Sequence, residues 1–165
     1  MKRKITNAIR ECVSQELLVS EFYRLFAHLF VEDSEFWLEM MREEIKHGRL
    51  LHTELESLCR AGILTEKAVP SNLDALLIEG ASITDLFLDL QESPPTRAQA
   101  FAIALALENS MSERHYRSYL YADSARPALR LLESIDRDEK DHVKKIEGYA
   151  ACHAIAIKET MSLHS

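Results

Sequence analysis

Apolar side chains recur at three- and four-residue intervals in four long stretches of this chain, the period that lines one face of an α-helix. In the first stretch, about residues 4–31, Ile5, Ile9, Val13, Phe26 and Phe30 share a stripe with Glu16, Ser20 and Tyr23. The polar run Glu32-Asp33-Ser34-Glu35 interrupts it, and Ser34 is placed to cap the second helix. That helix, about 34–61, carries Trp37, Met40, Met41, Glu44, His47, Leu51, Leu55 and Leu58 along one side and stops at Gly62. The third, about 96–122, aligns Phe101, Ala104, Leu105, Glu108, Met111, Ser112, Tyr116 and Tyr119. The fourth, about 126–158, aligns Leu131, Leu132, Ile135, Glu139, His142, Val143, Ile146 and Ala150. Between these two, Asp123-Ser124-Ala125-Arg126-Pro127 supplies a cap with proline near the first turn.

Residues 63–95 break this pattern. Pro70-Ser71-Asn72 opens a short helical piece that Gly80 ends, Ser82-Ile83-Thr84-Asp85 starts another, and Pro94-Pro95-Thr96 closes the segment. The expected architecture is all-α: a four-helix bundle of two antiparallel hairpins joined by a long crossover containing short helices, with the second and third long helices parallel. The hairpins also resemble each other, since Glu16 to Glu21 and Glu108 to Glu113 share a Glu-x-x-x-Ser-Glu pattern. A duplicated hairpin sets equivalent residues around a pseudo-twofold axis.

Composition narrows the picture. The 165 residues, 47% of them apolar, suit a single domain spanning 1–165 with its own core. With only four Gly and four Pro, a turn-rich all-β chain is excluded. A net charge of -7 argues against nucleic acid as a partner. The Met1-Lys2-Arg3-Lys4 start is too short to reverse that and reads as a solvated helix end. No apolar run approaches the roughly 20 residues that span a bilayer, and no signal-peptide pattern opens the chain, so a soluble cytoplasmic protein without membrane contact is expected. Cys12, Cys59 and Cys152 form no Cys-x-x-Cys pair and are expected as reduced core thiols.

The candidate chemistry lies in two segments. Glu44 and His47 stand three residues apart in Glu43-Glu44-Ile45-Lys46-His47, and Glu139 and His142 repeat that interval in Asp138-Glu139-Lys140-Asp141-His142. At this spacing a carboxylate and an imidazole leave one helix face together and can ligate one metal from one side. With 19 Glu and seven His, about one such pair arises by chance, so placement matters more than number. Both copies face an apolar stripe, and each faces a neighbouring helix with an inward acid, Glu16 or Glu108. Inward carboxylates without inward Lys or Arg repel, and each costs several kcal/mol to desolvate. Two divalent cations neutralise four of them. Protonated acids, or a stripe misplaced by one position, would leave a metal-free bundle instead.

Register supports the set. The midpoint of Glu108 and Glu139 falls at the turn expected at 123–124, which puts them level in an antiparallel hairpin. For Glu16 and Glu44 the midpoint is 30, slightly before the turn expected at 32–34. Glu21 fits that symmetry better, but Glu16 shares the stripe of Ile9, Val13 and Tyr23 and is preferred. Tyr23 and Tyr116 lie about two turns from Glu16 and Glu108 and can hydrogen-bond a ligand carboxylate or sit in the core with other partners. His115 and His153 read as satisfied or exposed histidines. Glu43 and Asp138 read as solvated acids or partners of the ligands. Trp37, Met40 and Met41 read as core.

At these residues the chain resembles the rubrerythrin branch of the ferritin-like superfamily: Glu16 with Tyr23-Arg24-Leu25-Phe26-Ala27, Trp37 with Glu43 to His47, Glu108 with Tyr116, and Glu139 to His142. The likeness spans roughly residues 5–155 and weakens in the crossover. It implies a di-iron carboxylate centre in which Glu44 and Glu139 bridge two iron ions, Glu16 and Glu108 are terminal ligands, and His47 and His142 each complete one metal. Manganese suits the same donors. The implied activity is that of a non-haem di-iron oxidoreductase reacting with hydrogen peroxide or dioxygen. A ferritin-like ferroxidase or iron-handling role is the alternative, and a metal-free helical interaction module a second one. The sequence departs from rubrerythrin proper in having no rubredoxin-like cysteines within these residues and no second nearby acid on the third helix, Glu113 lying on another face. Turnover then needs an external electron donor, and a homodimer is compatible with the pattern.

Overall fold

The computed structural model describes residues 2–62, 73–114 and 126–157. Among them every regular element is helical: α1 (Lys2–Leu29), α2 (Ser34–Arg60), α3 (Leu73–Glu92), α4 (Arg97–Arg114) and α5 (Arg126–Cys152), with a single 3-10 turn at Val31–Asp33. α1 and α2 pack along each other as a hairpin through that turn, and α4 packs on α5. α2 also touches α5, α1 touches α4, and α3 lies against α1. Among the described residues no helix is long and apolar enough to cross a membrane.

The turn between α1 and α2 corrects the expected cap. Ser34 is the first residue of α2 and Asp33 holds the N-cap position, yet Asp33 makes no capping hydrogen bond. Its fully buried carboxylate instead accepts two bonds from Arg97 at the start of α4, Nε at 2.7 Å and a terminal nitrogen at 2.6 Å, and one from the Tyr149 hydroxyl on α5 at 3.1 Å. One acid thus ties the hairpin to both other long helices. Burial alone would raise its pKa, but the Arg97 and Tyr149 bonds outweigh that and hold it below the ordinary carboxylate range. At the other side of this junction, Thr96 and Gln99 form a reciprocal capping box, Thr96 N–H to Gln99 Oε1 at 2.8 Å and Gln99 N–H to Thr96 Oγ1 at 3.3 Å, which starts α4 where the sequence places it.

The crossover also differs from expectation, because α3 is one helix of 20 residues that runs straight through Gly80. Gly80 is buried against α1, where a Cβ would meet the Glu11 carboxylate, and Gln15 donates to that carboxylate at 3.2 Å. The glycine therefore serves packing and breaks nothing. Ser82 and Thr84, read as a helix start, donate back to the carbonyls of Ile78 and Gly80 at 3.1 and 2.8 Å, as mid-helix hydroxyls do. Through α3 the first helix gains a second buried face that the four-helix reading omits: Phe22 is fully buried and meets Phe87 at 5.0 Å.

α5 ends at Cys152, six residues before the expected 158. Ile155 N–H bonds the Ala150 carbonyl at 2.9 Å, Ala154 N–H bonds that of Ala151 at 3.3 Å, and Ala154 sits at φ 52°. This is a Schellman closure with alanine where glycine is usual, and Ile155 folds back on the core. α2 closes as expected, with Gly62 at φ 71°. The cap expected at 123–125 and the stripe positions Tyr116 and Tyr119 lie outside the described residues. Of the three cysteines only Cys12 is buried; Cys59 is half-buried and Cys152 exposed, so the core-thiol expectation holds for Cys12 alone.

The main core gathers Phe22, Tyr23 and Phe26 of α1, Trp37 and Met40 of α2, Phe101 and Leu107 of α4 and Ile146 of α5, all fully enclosed. Burying an aromatic or large aliphatic side chain contributes about 1.5–3 kcal/mol. A cluster of polar side chains sits a turn or two beyond this block.

Candidate metal centre

Side chains from four helices converge beside the core. Glu16 of α1, Glu44 and His47 of α2, Glu108 of α4 and His142 of α5 are each no more than 2% exposed. His142 Nδ1 lies 2.8 Å from Glu44 Oε1 and 3.3 Å from Glu108 Oε2. His47 Nδ1 lies 3.5 Å from Glu44 Oε2 and 3.9 Å from Glu16 Oε2. The two oxygens of Glu44 therefore serve different imidazoles, whose rings stand 5.4 Å apart. Glu44, His47 and His142 each bring one donor atom within 4.8 Å of the others.

The i, i+3 interval explains the local part of this geometry, since it aims Glu44 and His47 off one face of α2. Gly48 beside them keeps α1 near: a Cβ there would already touch Leu17 Cδ2 at 3.4 Å and Glu16 Cβ at 3.5 Å. Glu16 is the acid of α1 that faces inward, because Glu21 is 42% exposed and paired with Arg24. The turn at Val31–Asp33 lies slightly past the midpoint of Glu16 and Glu44 at position 30. Glu139 stands one turn before His142 on α5, and its side chain lies outside the described residues.

A carboxylate backs each imidazole from the opposite helix. His142 Nε2 is 2.8 Å from Glu43 Oε2 on α2, and His47 Nε2 is 3.4 Å from Asp138 Oδ2 on α5. Glu43 also accepts from Lys145 Nζ at 2.8 and 2.7 Å. Lys145 carries no apolar-stripe signal, and only its position three residues after His142 marks it. Behind the imidazoles a cavity of about 180 Å³ lined by Glu43, Lys46, His47, Asp138, Asp141, His142 and Lys145 opens toward solvent. Tyr23 donates to Glu108 Oε1 across the helices, so the carboxylate it bonds is the inward acid of α4. Tyr116 and His115 fall outside the described residues. His153 is exposed, stacks on Tyr149 with ring centroids 4.0 Å apart, and has Nδ1 2.9 Å from the Tyr149 carbonyl.

Burial and charge pairing oppose each other in this cluster. Burial disfavours the His142 cation, yet Glu108 and Glu44 overcome it and push its pKa up to about 11. Burial likewise opposes ionised Glu44, but His142 and His47 bring its pKa down to about 2. Even so, Glu44 Oε1, Glu108 Oε2 and His142 Nδ1 lack aligned hydrogen bonds, although the first and last are only 2.8 Å apart. Among the described residues no Lys or Arg is buried to balance Glu16, Glu44 and Glu108. Carboxylate oxygens and two imidazole Nδ1 atoms are a donor set that fits iron, manganese or zinc. No family model, curated protein or solved structure matches the chain.

Proposed function

We propose that the chain is a ferritin-like, rubrerythrin-type oxidoreductase of the non-haem di-iron class that reacts with hydrogen peroxide or dioxygen. The observation that carries this reading is the enclosure of Glu16, Glu44, His47, Glu108 and His142, from four helices, in one buried cluster. The helix order supports it, since α1 touches α2 and α4, and α5 touches the same two, around a shared interior. In this reading the long connection containing α3 is the crossover of the bundle, and Glu139, the other acid of the two Glu-x-x-His pairs, would complete the ligand set. An iron pair held there would supply two electrons for breaking an O–O bond, and its charge would balance the four carboxylates.

The chain's own residues have defined tasks in this scheme. Glu43 and Asp138 hold the outer nitrogens of His142 and His47, which leaves each Nδ1 directed inward. Tyr23 fixes one oxygen of Glu108 and leaves the other facing His142. The enclosing aromatic core keeps bulk water from one side, while the cavity at Glu43 and Lys145 gives a small reactant a way in.

Anaerobic iron loading followed by metal analysis and stopped-flow oxidation with peroxide tests the proposal. Two irons per chain, a visible band from a bridged ferric pair and fast ferrous oxidation are expected, all lost in His142→Ala while helical circular dichroism persists. Less than one iron per chain, or equal oxidation rates in both proteins, would overturn it. Sizing chromatography separates a storage role, which needs a closed shell of many subunits.

A further inference from the structure

The aromatic side chains between the candidate centre and the far end of α5 form a continuous stack. Tyr23, whose hydroxyl bonds Glu108, lies against Trp37 with ring centroids 5.6 Å apart and planes 17° from parallel. Trp37 meets Phe101 at 4.5 Å and Phe36 at 4.9 Å. Phe36 meets Tyr149 at 4.2 Å, and Phe101 meets it at 5.8 Å. Tyr149 is half-buried and stacks at 4.0 Å on the exposed His153. No step between neighbouring rings exceeds 5.8 Å, so the path leads from a buried carboxylate of the centre to solvent.

We propose that Tyr23, Trp37 and Tyr149 relay single electrons between the centre and the surface at Tyr149 and His153, with Phe36 and Phe101 as the packed medium between Trp37 and Tyr149. The hydrogen bonds separate this stack from an ordinary aromatic core. A phenol gives up an electron readily only if its proton leaves at the same time, because the phenol radical cation is a very strong acid. Both tyrosines are bonded to a carboxylate that can take that proton: Tyr23 to Glu108 and Tyr149 to Asp33. Trp37, between them, is fully buried and its Nε1 has no hydrogen-bond partner. An indole oxidised there keeps its proton and passes the vacancy on. The order is a proton-coupled site, a pure electron site, then a second proton-coupled site.

Each transfer balances. A one-electron oxidant left at the centre by incomplete reduction of peroxide or dioxygen takes an electron from Tyr23, and the phenol proton moves along its bond to Glu108. Trp37 refills Tyr23 as that proton returns. Tyr149 refills Trp37 and passes its own proton to Asp33. An external one-electron donor such as ascorbate or a thiol restores Tyr149, and Asp33 gives the proton back. One electron enters from solvent, one oxidising equivalent is consumed at the centre, and the relay residues are unchanged. In this direction the relay rests on the proposed oxidoreductase reading and supplies its entry point for reductant.

The stack can be driven without metal. A ruthenium polypyridyl photo-oxidant attached to the exposed Cys152, in a Cys59→Ser background of the full chain, generates an oxidising equivalent beside Tyr149. Trp37 is the sole tryptophan, so the transient absorption of a tryptophan radical reports one residue. That radical should appear and then give way to tyrosyl absorption. Tyr149→Phe should slow its appearance several-fold, and Tyr23→Phe should lengthen its lifetime several-fold; both changes keep the ring and delete only the hydroxyl. Absence of the tryptophan radical, or kinetics unmoved by both variants, would overturn the relay. Because metal-free protein is used, failure of iron loading leaves this result standing, and failure here leaves the iron result standing.

Discussion

Removing either partner of the Asp33–Arg97 pair should destabilise the protein, but by unequal amounts. Asp33 has no exposed side-chain surface, whereas Arg97 is 32% exposed and has Glu32 at 3.8 Å as a second partner. In Arg97→Ala the carboxylate remains enclosed with only the Tyr149 hydroxyl beside it, and stranding a buried charge costs about 3–5 kcal/mol. In Asp33→Ala the guanidinium turns toward water and Glu32, so the loss is that of charged hydrogen bonds reduced by solvent screening, about 2 kcal/mol. Urea denaturation of both single variants and the double variant at neutral pH measures these differences. The double variant should cost less than the sum by about 1–3 kcal/mol, because the second deletion removes the group the first one stranded.

Acid provides an independent check on sign. The Asp33 pKa is depressed in the folded protein, so its contribution is present above the ordinary value of 3.8 and is lost as pH falls through the lower folded value. In Arg97→Ala that depression disappears and burial raises the pKa instead. Mild acid should then shrink the gap between Arg97→Ala and the wild type. Equal costs for the two single variants, strict additivity, or an Arg97→Ala defect that grows in acid would refute the reasoning.

Four further outcomes are expected. Ala154→Gly should raise stability by about 1 kcal/mol, roughly 2–4 °C in Tm by thermal melting, because alanine at φ 52° carries a strain that glycine does not. Metal uptake should release a proton and tighten with rising pH, since His142 holds its proton up to about 11 in the metal-free site; a pH-indicator titration measures the release. The same raised pKa stabilises metal-free protein fully below about 6.5 and progressively less as pH climbs through about 11, so its urea midpoint should fall across that window. Glu43→Ala should weaken metal binding by about 10–100-fold in competition with a chelator, through loss of the bond that orients His142, while helix content is kept.

The positions of the long helices are legible in the sequence because their apolar period is strong, and the inward acids are legible because a buried carboxylate on such a stripe is conspicuous. The features that stay hidden depend on partners distant in sequence. Asp33 reads as one more polar turn residue until Arg97 and Tyr149, 64 and 116 positions away, are brought to it. Gly80 reads as a helix stop because the sequence does not show that α1 presses on that point. The end of α5 reads too late because its closing residue is Ala154, where the visible signal would have been glycine. Phe22 falls off the stripe of α1 because the face it occupies is buried only once α3 is present.

The same distinction explains why Glu43 and Asp138 look neutral in sequence and matter in space. Each immediately precedes a glutamate of the Glu-x-x-His pairs, and on its own helix each points to the rim, 32% and 48% exposed. Across the interface they exchange partners, Glu43 of α2 with His142 of α5 and Asp138 of α5 with His47 of α2. The exchange orients both imidazoles by groups on the opposite helix, so the site's geometry depends on α2 and α5 keeping their relative register. A slide by one residue, about 1.5 Å along the axis, would misalign both contacts together. The donor set and the helix packing are therefore one structural feature, and the Lys145 ammonium clasping both oxygens of Glu43 from α5 holds that register from outside.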